Sequence, residues 1–98
     1  MRITESRGSR TTTLFVVGKI DDAGSAALQN EIFRAAKLTK NVTLDFNDVD
    51  SINLAGIRAL QASLRLIISK RGELLVRNAP SKVRHEIQKE GLGQIMMH

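Results

Sequence analysis

The key to the fold of this chain is one segment, which reads Asp45-Phe46-Asn47-Asp48-Val49-Asp50-Ser51-Ile52-Asn53-Leu54-Ala55-Gly56-Ile57. Its first residues complete an apolar run that predicts a buried strand, and its polar middle predicts a short turn. Asn53 is a preferred N-cap residue, so a helix is predicted to begin there. The start of a helix presents unpaired backbone amides, which can receive an anion or a loop of a partner protein.

Strands and helices are predicted to alternate on both sides of this segment. The predicted strands lie around Ile3, Leu14–Val17, Val42–Phe46 and Leu74–Val76. The predicted helices end at about Ala36, at Arg71 and at Gly91, and residues 21–25 are predicted to form a loop. This order predicts a small single-domain α/β sandwich over residues 1–98, with three to four helices covering a mixed, mostly parallel sheet of four to five strands. The first two strands, joined by a short turn, are predicted to be antiparallel.

The composition of the chain excludes several classes of protein. The chain has no cysteine, which excludes disulfides and thiolate metal sites. Its apolar runs are far shorter than the roughly 20 residues of a membrane span, and its polar beginning is unlike a signal peptide. A cytoplasmic protein without membrane insertion is therefore expected.

The net charge of +5 comes from dispersed basic residues, and there is no Tyr or Trp. We therefore expect no direct nucleic-acid binding, whereas an acidic protein partner would also explain the charge.

The sequence contains no recognisable catalytic or metal-binding pattern. A calcium loop starting at Asp45 would require an oxygen ligand at position 49 and glycine at position 50, where the chain has Val49 and Asp50. His85 and His98 have no carboxylate at helical ligand spacing. There is also no glycine-rich phosphate loop and no nucleophile motif. We therefore predict no catalytic residues, no metal and no cofactor.

Three blocks of the sequence, in order, resemble the STAS family of anti-sigma-factor-antagonist domains. The first is Leu14–Asp21, an apolar strand followed by Gly-x-Ile-Asp, and the second is Val42–Ile57. The third is Gly72–Leu92, which has the form of the family's last strand, proline-started helix and Gly-Leu ending. The resemblance implies a STAS-like fold for the whole chain and a role in binding other proteins.

The family's phosphorylated turn corresponds to the start of the helix at Asn53. Asn53 stands at the family's Asp, Leu54 at its phosphorylated Ser or Thr, Ala55 at its second hydroxyl residue, and Gly56 at its Gly. Only the glycine is preserved. Leucine has no oxygen to accept a phosphoryl group, so phosphorylation at this position is excluded on chemical grounds. Ser51 is the nearest hydroxyl that could serve as a displaced acceptor.

The resemblance also implies a set of partner-binding residues: Asp21, Asn53, Leu54, Ala55 and Gly56. The implied partner is an anti-sigma factor or serine-kinase-type protein of the ATPase fold, or a second STAS protein. A second interpretation is an accessory subunit of an ABC-type transport system. A third is a weak nucleotide-binding regulatory domain that holds an anion at the amides of residues 54–56.

Each of these residues also has a structural interpretation. Asn53 and Asp21 are both suited to cap helices. Gly56 allows either close approach by a partner or tight packing of the helix on the sheet. Leu54 either anchors a partner or folds back over the strand ends.

Overall fold

A computed structural model describes residues 1–97 of the chain. The elements in chain order are β1 (Arg2–Arg7), β2 (Thr11–Ile20), α1 (Asp22–Leu38), β3 (Asn41–Ile52), α2 (Leu54–Ser69), β4 (Leu74–Arg77), α3 (Ser81–Lys89) and a 3₁₀ helix (Gly93–Ile95). His98, which the sequence analysis considered as a metal ligand, lies outside the described residues. None of the helices in residues 1–97 is long and apolar enough to cross a membrane.

The sheet has four strands in the order β1-β2-β3-β4. β1 pairs with β2 in the antiparallel sense, and β3 lies parallel to both of its neighbours, β2 and β4. The predicted mixed, mostly parallel α/β sheet is thereby confirmed. α1 connects β2 to β3, and α2 connects β3 to β4, so both connections step toward the same edge of the sheet. Such connections between parallel strands are right-handed, which places α1 and α2 on the same face of the sheet. The two helices contact each other there.

The core lies between the sheet and the helices. Leu14, Leu44 and Val76 are aligned across β2, β3 and β4, and all three are fully buried. The helices contribute further fully or almost fully buried side chains, namely Leu28, Ile32, Leu60 and Ile67. The face of α2 that carries Leu60 and Ile67 is therefore its packing face. One polar pair is buried with these residues, and its two hydroxyls, on Thr12 and Thr39, lie 2.7 Å apart and hydrogen bond to each other.

The predicted turn in the middle of the key segment is wrong. β3 continues to Ile52 because residues 48, 49, 51 and 52 still pair with β2. The register shifts once between Phe15 and Val17 of β2 and again between Gly18 and Lys19. The Asp45 carboxylate accepts a hydrogen bond from the Asn47 amide at 3.0 Å, which satisfies a donor at this irregularity. Polar residues that indicate a turn in the sequence thus lie in a strand that contains a bulge.

The predicted loop after β2 is also shorter than expected. α1 begins at Asp22, so residues 22–25 form its first turn rather than a loop. Gly24 suits this helix because a Cβ there would lie 2.9 Å from the Lys19 carbonyl oxygen.

At the other end of the chain, Pro80 is the N-cap of α3 and not its first helical residue. The segment after α3 forms the 3₁₀ helix and a single parallel bridge between Val76 and Met96.

A row of three interacting side chains crosses strands β2, β3 and β4. Phe15, Asp45 and Arg77 are neighbours in register on β2, β3 and β4. The Asp45 carboxylate accepts hydrogen bonds from Arg77 Nε at 2.9 Å and from Asn78 Nδ2 at 3.1 Å. The Arg77 guanidinium also lies 5.7 Å from the centroid of the Phe15 ring. Burial by itself raises the pKa of the Asp45 carboxyl, but these hydrogen bonds, the one from the Asn47 amide and the charge of Arg77 together hold that pKa below its ordinary value.

This row predicts a specific dependence of stability on pH. Because the pKa of Asp45 is lower in the folded than in the unfolded chain, its carboxylate stabilises the fold above about pH 4 and loses that contribution as the pH falls through the folded-state pKa. Asp45→Asn should therefore lower the free energy of unfolding by about 2 kcal/mol at neutral pH. The difference from wild type should shrink as the pH falls below about 4 and passes through the folded-state pKa of Asp45.

Urea denaturation at a series of pH values measures this difference. The matched control is Asp50→Asn, because Asp50 is exposed and makes no side-chain hydrogen bond within residues 1–97. A deficit of Asp45→Asn that is the same at every pH would show that the charge of Asp45 is not the stabilising feature.

Candidate functional site

The register between β2 and β3 brings two helix starts together. Ile20 and Ile52, the last residues of these parallel strands, are paired, and the Asn53 amide donates to the Ile20 carbonyl at 3.1 Å. The next residue of each strand therefore emerges at the same edge of the sheet. Those residues are Asp21 and Asn53, the N-caps of α1 and α2. We call residues 21–24 and 53–56 together the capped edge.

Both cap side chains accept a hydrogen bond from the backbone amide three residues further along the chain. Asp21 Oδ1 accepts from the Gly24 amide at 2.8 Å, and Asn53 Oδ1 accepts from the Gly56 amide at 3.0 Å. Asn53 Nδ2 also donates to Asp22 Oδ1 at 2.9 Å. That last bond joins the two helix starts through side chains that are far apart in the sequence. The caps follow from residue type, whereas the bond between Asn53 and Asp22 depends on strand register and was not predicted.

Leu54 is the largest apolar residue of the capped edge. It is the first residue of α2, and it is 52% exposed. The Leu54 side chain therefore leaves apolar surface in water at the start of α2. Its neighbours Asn53, Asp21 and Asp22 are exposed and polar. The edge therefore presents one large apolar side chain beside polar side chains.

Gly56 is explained by packing within the domain. A Cβ at this position would lie 2.6 Å from Ile52 Cγ1 and 2.8 Å from Ile20 Cγ2. Both distances are far below ordinary van der Waals contact, so only glycine allows the first turn of α2 to lie on the strand ends. Gly56 is accordingly buried, and Ala55 beside it is half-buried.

Ser51 differs from the other residues of the segment. It lies within β3, opposite Lys19 of β2, and it is half-buried. It precedes Asn53 by two residues and makes no side-chain hydrogen bond to the capped edge within residues 1–97. Its side chain therefore belongs to the strand rather than to the helix start.

A cleft of about 420 Å³ adjoins the capped edge and includes a residue that the sequence analysis missed. Its lining residues are Met1, Lys19, Asp21, Ala23, Gly24 and Ala27. Met1 lies so close that a Cβ on Gly18 would be 3.3 Å from its Cα and a Cβ on Gly24 would be 3.1 Å from its sulfur. Nothing in the sequence near Met1 signals this contact, because it depends on the antiparallel pairing of β1 with β2.

The chemistry available at this edge consists of recognition by hydrogen bonds, charge and apolar contact. Among residues 1–97 there is no group of three or more His, Asp or Glu side chains placed to hold a metal ion. The carboxylates of Asp21 and Asp22 are each engaged by a neighbouring donor.

Comparison with known proteins identifies the family. The STAS domain family model matches residues 3–98, so the chain belongs to the STAS family. The fold is similar to that of the anti-sigma factor antagonist SpoIIAA in its unphosphorylated form, with a TM-score of 0.87 and 18% identity over 98% of this chain and 86% of that one. A Bacillus SpoIIAA structure in the phosphorylated form gives a TM-score of 0.79 and 17% identity, covering 98% of this chain and 89% of that one.

Two further structures extend the comparison. A putative anti-sigma factor antagonist from Thermotoga maritima is 17% identical, with a TM-score of 0.85, covering 96% of this chain and 82% of that one. Murine SLC26A9, an anion transporter, is 15% identical, with a TM-score of 0.75, covering 91% of this chain but only 15% of the transporter. No curated protein sequence matches this chain significantly. At these identities the likeness to solved structures establishes the fold alone.

The packing at Gly56 yields a prediction. Gly56→Ala should lower the free energy of unfolding by about 1–3 kcal/mol, because the added methyl group collides with Ile20 and Ile52. Chemical denaturation measures the change. The control is Gly93→Ala, where the nearest atom to a new Cβ, Gln88 Cγ, is 4.0 Å away and the effect should be small. Equal stability of wild type and Gly56→Ala would mean that the glycine is not required for packing.

Proposed function

We propose that this STAS domain is a non-enzymatic interaction module of the anti-sigma-factor-antagonist type and that it binds its partner through the capped edge. The observation that supports the proposal is the exposure of Leu54 at the first position of a helix whose cap is fixed by hydrogen bonds. The partner we propose is an anti-sigma factor or a serine-kinase-type protein of the ATPase fold. The binding residues are Asp21, Asn53, Leu54, Ala55 and Gly56.

The arrangement suits a protein interface. Binding energy at such interfaces is concentrated in a few central anchors surrounded by polar residues that exclude water. Leu54 supplies an apolar anchor, and Asp21 and Asn53 supply the polar surround. Because the Asn53 side chain is already held by Gly56 and Asp22, it loses little conformational freedom when a partner binds. Ala55 and Gly56 support the edge by their small size.

The proposed mechanism is competitive sequestration. The domain occupies the anti-sigma protein and thereby releases the sigma factor, within the cytoplasm and without a cofactor. If Leu54 holds the phosphoacceptor position of the family, no phosphate can arrive there to repel a partner through charge and desolvation. Binding would then be controlled by abundance, by another modification, or by competition from a second STAS protein.

A second candidate function is that of an accessory component of a transport system. The likeness to a small part of murine SLC26A9 favours it, because that transporter contains a STAS-like fold within a much longer chain. In this role the same edge would contact a transporter subunit. The partner recovered with the domain therefore distinguishes the two candidates.

The central test is Leu54→Asp. The variant should weaken partner binding by at least about tenfold, because it replaces the apolar anchor with a charge, and tenfold corresponds to about 1.4 kcal/mol. The fold should be retained, since an acidic residue in the first turn of a helix interacts favourably with the helix dipole. Wild-type and variant domains used as parallel baits in native lysate, with quantitative mass spectrometry, identify the partner. The affinity for that purified partner is then measured by calorimetry.

The matched control is Ile68→Asp, which replaces a 59% exposed apolar residue near the opposite end of the same helix. It introduces the same charge on α2 but lies away from the capped edge, so it should leave the affinity within about twofold. Equal affinity of wild type and Leu54→Asp would refute docking through Leu54. Recovery of transporter subunits instead of an ATPase-fold protein would favour the second candidate function.

A second test concerns the missing hydroxyl. Leu54→Ser should become a substrate for a kinase-type partner with ATP, whereas wild type and Leu54→Ala should not, because neither has a hydroxyl at this position. Intact-mass measurement detects the added phosphate, and peptide mapping locates it. All three proteins retain Ser51, so phosphate on wild type at Ser51 would identify that residue as a displaced acceptor.

A further inference from the structure

A second surface lies at the opposite end of the sheet from the capped edge. It is a cleft of about 430 Å³ where the amino ends of the parallel strands meet, and its lining residues are Arg10, Lys40, Asn41, Arg71, Gly72 and Glu73. We call these residues the basic cleft. Arg10 precedes β2, Lys40 precedes β3, and Arg71 precedes β4. Three separate connections thus contribute one cation each to the same opening.

The three cations are not neutralised within the described chain. The ion pairs in residues 1–97 join Arg34 to Glu5 and Glu31, Arg77 to Asp45, and Lys89 to Glu86. None of them includes a residue of the basic cleft, and no side-chain hydrogen bond from Arg10, Lys40 or Arg71 is present in this part of the chain. With Glu73 as the one acidic lining residue, the cleft carries an excess of positive charge.

The helix ends account for only part of this charge. α1 and α2 both end on this side of the sheet, and cations near helix C-termini are favourable. That role is filled by Lys70, whose Nζ donates to the Ala36 carbonyl at 3.1 Å. Lys40 and Arg71 follow the ends of α1 and α2 by two residues, so the helix dipoles favour them as well. Arg10 precedes β2 and follows no helix, so the helix ends do not explain why all three cations converge.

The backbone of Arg71 supports a functional explanation. Its φ is 60°, in the left-handed region where glycine is the usual residue at the end of a helix. A residue with a side chain is strained there, and such strain is characteristic of functional sites. The next residue, Gly72, lies against the backbone just before β3, since a Cβ there would collide with the Lys40 carbonyl oxygen. This contact fixes Arg71 beside Lys40.

We propose that the basic cleft binds a small polyphosphate anion. Guanidinium and ammonium groups are the main protein donors to phosphate oxygens, and three of them suit a ligand with more than one phosphate group. The side-chain amide of Asn41 adds a neutral donor, since its oxygen is already occupied by the Glu73 amide at 3.1 Å. The volume is within the range of small-molecule sites. No lining residue is aromatic, so the cleft recognises the charged groups and has no stacking surface for a base.

The test uses inorganic pyrophosphate as the probe, with the full chain at low salt. Calorimetry gives the affinity, and amide chemical shifts locate the contact.

The decisive variant is Arg71→Gly, because glycine relieves the strain at positive φ while removing one cation. It should bind pyrophosphate about tenfold more weakly and melt at a temperature no lower than wild type. Lys40→Gln should weaken binding similarly. The control Arg65→Ala removes an exposed cation of α2 outside the cleft and should leave the affinity unchanged.

The outcomes separate the proposal from general charge attraction. Shifts at residues 40–41 and 71–73, lost in both cleft variants and kept in Arg65→Ala, would support the site. No measurable binding by wild type would overturn it, and so would equal weakening by Arg65→Ala. Unchanged affinity of both Arg71→Gly and Lys40→Gln would also overturn it. The site is independent of partner docking at the capped edge, so failure of either proposal leaves the other intact.

Discussion

The parallel pairing of β2 with β3 is the interaction on which the rest of this structure depends. Its register ends with Ile20 opposite Ile52, and that pairing alone decides that Asp21 and Asn53 emerge side by side. A shift by one residue would exchange the buried and exposed faces of β3 and would separate the two helix starts. The same pairing sets Asn41 beside the connection that contains Arg10, because the Asn41 amide donates to the Arg10 carbonyl at 3.0 Å. Both ends of the domain are therefore organised by one strand pair.

The sequence predicted those features that depend on local residue type. Gly18 and the apolar run before it indicated β2, because a short apolar run that ends at a glycine is typical of a buried strand. The cap at Asn53 was predicted from its residue type, since asparagine is a preferred N-cap residue. The continuation of β3 through residues 47–52 was missed, since a bulged strand with exposed Asn47 and Asp48 has the composition of a turn.

The features that the sequence did not predict arise from contacts between distant parts of the chain. The bond between Asn53 and Asp22, the packing of Met1 against Gly24, and the convergence of three cations at the amino ends of the strands all require the register of the sheet. They also divide the molecule into two ends of different character. One end carries fixed caps around an exposed leucine, which suits a protein surface. The other carries unneutralised cations, which suits an anion.

The account rests on docking through the capped edge, and hydrogen exchange on the complex with the recovered partner tests this most directly. The amides of Leu54 and Ala55 lie in the first turn of α2, where backbone donors have no partner within the helix, so they should exchange rapidly in the free domain. We expect strong protection of residues 22–25 and 54–57 in the complex, with α3 unchanged. Protection confined to α3 or β1, with these two helix starts exchanging as in the free domain, would contradict the account.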